Sequence, residues 1–164
     1  MTAELSRRKW PTLWAWGLMV GLLALDQATK IWAIETLAPF GSRTVIPGFF
    51  SLTYVQNTGV AFGFLAGHNW ILGAAVVFLL GVGVYWAREL NWHLREVNVV
   101  AAMLLGGAVG NLIDRFRYGY VVDFLDFYLG AWHWPAFNVA DSCICLSVAW
   151  MLWRNLAGAR PGKG

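Results

Sequence analysis

The sequence predicts an integral membrane protein: four transmembrane helices, a small extracytoplasmic sheet and an interfacial segment. Three observations carry this reading. Of 164 residues, 59% are hydrophobic and only 13% charged, whereas a soluble domain carries about 25% charge. The apolar residues gather into four stretches, about 12–33, 70–87, 97–113 and 136–153, each near the roughly 17 to 25 residues that cross a bilayer. Trp10, Trp14, Trp32, Trp70, Trp86, Trp134 and Trp153 stand near the ends of these stretches, as an aromatic belt does.

The first span follows Arg7-Arg8-Lys9. A basic patch before an apolar run also opens a secretory signal peptide. Here the run continues into Asp26 and Lys30 without a small-residue cleavage site, so it reads as an uncleaved helix. Asp26 and Lys30 are four residues apart and can pair on one helix face. The connection at about 35–69 has a strand pattern. Phe50, Leu52 and Tyr54 alternate with Ser51 and Thr53, and Pro47-Gly48 supplies a turn before them. It reads as a small sheet, or cradle, resting on the membrane.

In the third span Gly106 and Gly110 form a GxxxG pair that lets another helix approach closely. Asn111, Asp114 and Arg115 make a polar stripe at its end. The second connection, about 114–135, is rich in Phe, Tyr and Trp and reads as an interfacial segment. It carries Asp123 and Asp126. Asp126 reads as a solvated interfacial acid. Gly119 and Gly130 suggest that 116–134 acts as a mobile lid. The fourth span opens with Asn138 and Asp141, three residues apart. Cys143 and Cys145, two residues apart on a helix, face different ways and read as packing residues. There is no repeat or interdomain linker, so residues 1–164 read as one domain with a frayed tail at 159–164.

Lys and Arg set the orientation. Arg7, Arg8, Lys9, Arg88, Arg95, Arg154, Arg160 and Lys163 fall on one side, with Arg43, Arg115 and Arg117 on the other. The positive-inside rule then puts both termini in the cytoplasm and both long connections outside. The net charge of +3 is spread over segment ends. It is a topology signal and not a nucleic-acid patch.

With the helices alternating in direction, Asp26, Lys30, Asn111, Asp114, Asn138 and Asp141 reach the same outer level. Ionisable groups at membrane depth are costly and point to function. Asp123 and Asp141 have no obvious cation beside them in sequence. Two close carboxylates in a low-dielectric site cannot both ionise cheaply, so one keeps a proton. Such a pair can take a proton from an attacking water and give one to a carbonyl or amine. Lys30, Asn57 and Arg115 can orient or stabilise charge around it. No serine has a suitable His and Asp set, and no HExxH or paired CxxC occurs. Neither pattern therefore supports zinc.

Blander readings compete. Asp26–Lys30 and Asp114–Arg115 read equally as structural ion pairs, and Asn111 and Asn138 as interhelical hydrogen-bonding groups. A proton-coupled transporter would also carry membrane acids, but its polar path would continue through the inner halves of the helices. An assembly subunit would use the same residues only to hold helices together.

Five ordered motifs decide between these readings: Asp26-Gln27-Ala28-Thr29-Lys30, Asn57-Thr58-Gly59-Val60-Ala61-Phe62-Gly63, Gly110-Asn111-Leu112-Ile113-Asp114-Arg115, Val121-Val122-Asp123-Phe124 and Pro135-Ala136-Phe137-Asn138-Val139-Ala140-Asp141-Ser142. With them the chain resembles the lipoprotein signal peptidases (signal peptidase II), bacterial intramembrane aspartyl proteases. The resemblance implies Asp123 and Asp141 as the catalytic dyad. It also implies Asp26, Lys30, Asn57, Gly59, Asn111, Asp114, Arg115 and Asn138 as residues that line or support the site. The implied reaction cuts a prolipoprotein just before a diacylglyceryl-modified cysteine, and no metal or organic cofactor is implied. The implied setting is the bacterial inner membrane, with lipid around the enzyme, the site near the periplasmic face and globomycin as inhibitor. The implied fold is four membrane helices, a β-cradle and an interfacial helix.

Overall fold

The computed structural model describes residues 10–59 and 69–158. The basic residues at 7–9, the 60–63 part of the second motif, His68 and the tail at 159–164 lie outside the described residues.

Among the described residues, four long helices and one small sheet make the fold. In chain order they are α1 (Leu13–Thr36), β1 (Ser42–Ile46), β2 (Phe50–Asn57), α2 (Asn69–Trp86), α3 (Arg95–Tyr118), β3 (Val121–Leu129), β4 (Trp132–His133) and α4 (Val139–Gly158). Three helical stretches, Leu13–Thr36, Trp70–Glu89 and Arg95–Tyr118, are long and apolar enough to cross a membrane. The 20 residues of α4 span about 30 Å at 1.5 Å per residue. Its exposed Leu146, Trp150, Met151, Leu152 and Trp153 extend the same apolar exterior. Leu13, Val20, Phe78 and Leu79 are likewise exposed, which suits a hydrocarbon surround and not water.

Small residues let α3 sit at the centre. Its buried face reads Asn98, Ala102, Gly106, Gly107, Gly110, Asn111 and Asp114, one residue per turn with two doublets. A Cβ at Gly106 would lie 3.2 Å from Met19 O of α1, and one at Gly107 would lie 2.5 Å from Ala140 O of α4. The GxxxG pair expected from sequence is therefore a contact surface, and Gly107 adds a second one facing α4.

The sheet is antiparallel with strand order β1-β2-β3-β4. The turn at Pro47-Gly48 closes β1 onto β2, with Gly48 at φ +79°, which glycine adopts without steric cost. Between Leu52 and Val55 the β2–β3 register shifts. That irregularity sets Val55 opposite Asp123 and Asn57 opposite Val121. Ala33 and Leu37 from the end of α1 pack with Val122 and Phe124, so β3 is seated on the bundle.

Two expectations gain detail here. The segment 114–135, expected to be interfacial, holds the end of α3, β3 and β4. Helix α3 runs on through Asp114 and Arg115 to Tyr118, and Gly119 at φ +80° ends it by donating its N–H to Arg115 O. The β-branched and aromatic run from Val121 then enters the sheet as β3, where β2 supplies a ladder. The sheet is thus built from both long connections. The two glycines that suggested a lid at 116–134 have defined places: Gly119 caps α3 and Gly130 lies in the β3–β4 hairpin turn, with β3 paired on both edges.

Candidate active site

The start of α4 is placed by β3. Phe137 O accepts the N–H groups of Phe124 and Leu125, and Phe137 N–H donates to Leu125 O. This clip holds Asn138 beside Asp123 and delays the helix to Val139. Asn138 and Asp141 then form a reciprocal cap. Asp141 N–H donates to Asn138 Oδ1 (2.9 Å), and Asn138 N–H donates to Asp141 Oδ2 (3.3 Å). This is the capping-box arrangement with Asp in the third helical position. The three-residue spacing seen in the sequence is a helix cap formed by two candidate site residues.

The same Asn138 reaches the other acid. Its side-chain amide, fully buried, donates to Asp123 Oδ1 at 2.7 Å and to Asn111 Oδ1 and Val122 O at 3.2 Å. Asn57 Nδ2 donates to Asp123 Oδ2 at 2.8 Å. Asn111 Nδ2 donates to Asp141 Oδ1 at 2.7 Å. The two carboxylates are therefore bridged and oriented by neutral amides. Burial first, and then the charge of Asp141, push the Asp123 carboxyl from its ordinary 3.8 up to about 7. The donations from Asn57 and Asn138 and the charge of Lys30 oppose that rise.

Lys30 stands one step back. Its Nζ lies 2.9 Å from Asp26 Oδ2, 3.0 Å from Asp114 Oδ2 and 2.9 Å from Asn111 Oδ1, with all three ionisable groups essentially buried. Arg115 donates to Asn111 O and to Gly59 O, each at 3.3 Å, and Gly59 N–H donates to Asn57 Oδ1 at 3.0 Å. Every site residue singled out from the sequence thus belongs to one connected hydrogen-bond network.

The partners differ from expectation in two places. Asp114 takes Lys30 of α1 as an ion-pair partner across helices. Adjacent residues on a helix do not face each other, whereas α1 lies directly against α3. Asp126 is not a solvated acid: it is 8% exposed, accepts from Thr53 Oγ1 at 3.1 Å and sits 2.8 Å from His133 Nδ1. It lies across from Ser51 in the sheet ladder, which the interfacial-segment reading did not anticipate.

Sequence reasoning passed over two residues. Gln27 donates from Nε2 to Asp114 Oδ1 (3.0 Å), Asp26 Oδ2 (3.2 Å) and Gly110 O (3.2 Å). Its place beside Asp26 in the first motif was the available signal. Asn98 lies at the far end of α3. Its Oδ1 accepts from Thr12 N and Oγ1, and its Nδ2 donates to Trp92 O and Leu94 O. An Asn inside the apolar run 97–100 was its only mark.

Comparison with known proteins now bears on this arrangement. The family model for signal peptidase (SPase) II matches residues 18–157. The lipoprotein signal peptidase of Desulforapulum autotrophicum is 49% identical over 147 residues, covering 85% of this chain and 90% of that protein. The lipoprotein signal peptidase of Burkholderia mallei is 40% identical over 169 aligned positions, covering 99% of this chain and all of that protein. Two solved structures of a bacterial membrane enzyme, obtained by the in meso method at 2.3 and 1.9 Å, superpose with TM-scores of 0.80 and 0.78. They are 29% and 31% identical in sequence and cover 96% and 92% of this chain. With most of its length matched and relatives of equal extent, this membrane chain belongs to the signal peptidase II family.

Proposed function

We propose that this chain is an aspartyl endopeptidase that removes signal peptides from prolipoproteins by cutting before a diacylglyceryl-modified cysteine. Family membership makes it a signal peptidase of lipoproteins; the aspartyl mechanism and the residues below are the proposal. Asp123 and Asp141 act as the catalytic pair. One carboxylate takes a proton from water as its oxygen attacks the scissile carbonyl carbon. The other, protonated, gives its proton to the carbonyl oxygen. As the tetrahedral intermediate collapses, the amine of the cysteine takes a proton from one carboxyl and leaves, while a hydroxyl of the intermediate returns its proton to the other, so the pair is restored with one proton. Asn57, Asn111 and Asn138 orient the carboxyls. Arg115, which donates to Gly59 O beside Asn57, is placed to stabilise charge on the substrate. Gly59 shapes that loop, and Asp26, Lys30 and Asp114 support the site from behind.

The observation that carries this reading is the bridge through Asn138. One amide residue hydrogen-bonds to both carboxylates, and Asp123 is held near pH 7, where a group can both hold and release a proton. The exposed apolar helices suit a substrate held in the bilayer by its acyl chains, with lipid as the second partner. Arg88, Arg95 and Arg154 lie at the end of the bundle away from the carboxylates. Both termini then face the cytoplasm of a bacterial inner membrane, and the site sits near its periplasmic face. Globomycin is expected to compete at the dyad.

The experiment is cleavage of a diacylglyceryl-modified prolipoprotein by purified protein in detergent, with Asp123→Asn and Asp141→Asn alongside. Wild-type cleavage that globomycin blocks, lost in both folded variants, supports the proposal. Cleavage that survives in either variant refutes the dyad.

A further inference from the structure

Two buried acids outside the pair are each attached to the backbone immediately before one member of it. Asp26 Oδ1 accepts the N–H of Ala140 at 2.9 Å, one residue before Asp141. Asp114 Oδ2 accepts the N–H of Val122 at 3.1 Å, one residue before Asp123. Asp26 lies on α1 and Asp114 on α3, so the two elements that carry Asp123 and Asp141 are hung from different helices. Something must fix the distance between those attachment points.

Lys30 and Gln27 do so. Lys30 Nζ touches Oδ2 of both acids. Gln27 Nε2 also touches both, and adds Gly110 O on α3. Lys30 has three donors and gives one of them to Asn111 Oδ1. Gln27 supplies neutral donors to the oxygens that Lys30 alone cannot satisfy. At Gly110 a Cβ would lie 2.5 Å from Asp26 Oδ2, so the absence of a side chain there is what lets α1 come this close.

We propose that Gln27, with Lys30, is a positioning residue that sets the separation of the catalytic carboxylates, acting through Asp26 on Asp141 and through Asp114 on Asp123. The inference rests on the aspartyl mechanism proposed above. Its physical basis is the tolerance of such sites. Reacting groups must be held to about 0.5 Å, and a misplacement of about 1 Å costs roughly 100-fold in rate. A brace behind the site changes the rate of the chemical step without touching the substrate.

The test measures kcat and KM for prolipoprotein cleavage in Gln27→Met, which keeps length and removes the donors, beside wild type and Asp123→Asn. Active protein is corrected for the folded fraction by thermal unfolding in detergent. The expected result is a kcat lower by about 10- to 100-fold with KM within about twofold. An unchanged kcat, or a loss that only follows the folded fraction, overturns the proposal.

Gln27→Glu gives a second reading should the Met variant not fold. Its introduced carboxyl donates a hydrogen bond only while protonated. The ratio of variant to wild-type kcat should therefore fall as pH rises from about 6 to 9, and a flat ratio overturns the proposal. Cleavage surviving in Asp123→Asn would sink the dyad itself, whatever Gln27 does, so the two failures are distinguishable.

Discussion

Asn138 does two jobs that substitution can separate. Its Oδ1 caps α4 by accepting Asp141 N–H, and its Nδ2 donates to the buried Asp123. Asn138→Ala removes both. Loss of the cap costs about 1 kcal/mol, and loss of a hydrogen bond to a charged group about 1.5–3 kcal/mol, so stability should fall by roughly 3 kcal/mol. Asn138→Ser keeps an oxygen for the cap and loses the amide donors, so it should cost roughly 2 kcal/mol. Both should cut cleavage by about 10- to 100-fold, the rate equivalent of the lost donor. The pH profile gives the sign. Asn138 holds the Asp123 pKa down, so its removal pushes Asp123 further above about 7. On the proposed mechanism, the limb of kcat that follows Asp123 ionisation then moves to higher pH in both variants. The assays are denaturant unfolding in micelles and initial rates across pH. A Ser variant as unstable as the Ala variant would refute the capping role. A limb that stays put or moves down would refute the role of the donor.

The remaining predictions probe other parts of the structure. The folded-state pKa of Asp123 is raised from 3.8 to about 7, so its folded form binds the extra proton. Its contribution to stability is complete below about pH 4 and is lost as pH rises through about 7. Asp123→Asn should therefore flatten the fall in melting temperature between those values, and an unchanged slope would contradict the burial argument. Gly107→Ala drives a Cβ to 2.5 Å from Ala140 O, a backbone atom that cannot swing away. It should destabilise by about 1–3 kcal/mol, with a neutral unfolding result refuting the close contact. Asp126→Ala strips the acceptor from Thr53 and His133 and should cost about 1–2 kcal/mol with kcat unchanged. A large loss of kcat would bring this pair into the site.

The helical part of the fold was legible because it rests on composition. Apolar stretches of about 17 residues or more are a direct consequence of bilayer thickness, and the helices fall close to the spans drawn from them. Element ends were less legible. Nothing local marks Tyr118 as the end of α3 except Gly119, and the outer end of that helix is polar, so hydropathy stops too early at 113. The sheet was half legible. Phe50 to Tyr54 alternates openly, but β3 has acids at 123 and 126 in both of its alternating sets. Its strand character comes from the β2 partner, a tertiary fact. The site residues were visible as charges out of place and from the family motifs. Their partners were not, because Lys30–Asp114 and Asn57–Asp123 join residues more than 60 positions apart. Gln27 was missed because its place beside Asp26 was its only mark, and its contacts with Asp114 and Gly110 lie more than 80 positions away.

The network also explains why the nearest amine is not in contact with the pair. A cation touching a carboxyl favours its charged form. On the proposed mechanism the pair must keep one proton, so a lysine placed directly against Asp123 and Asp141 would remove the acid that the reaction needs. Here Lys30 spends its hydrogen bonds on Asp26, Asp114 and Asn111 Oδ1. What faces Asp141 is the far end of that amide, Asn111 Nδ2. The amide passes orientation from Lys30 to Asp141, because its oxygen is pinned and its nitrogen must point the other way. It passes on no formal charge. Asn57 and Asn138 repeat the device at Asp123. Asparagine suits this place because it offers a donor and an acceptor on one short rigid group and does not titrate. The three asparagines and the three supporting charges are one solution: charge enough to hold the elements together, set back far enough that the pair between them can still exchange a proton.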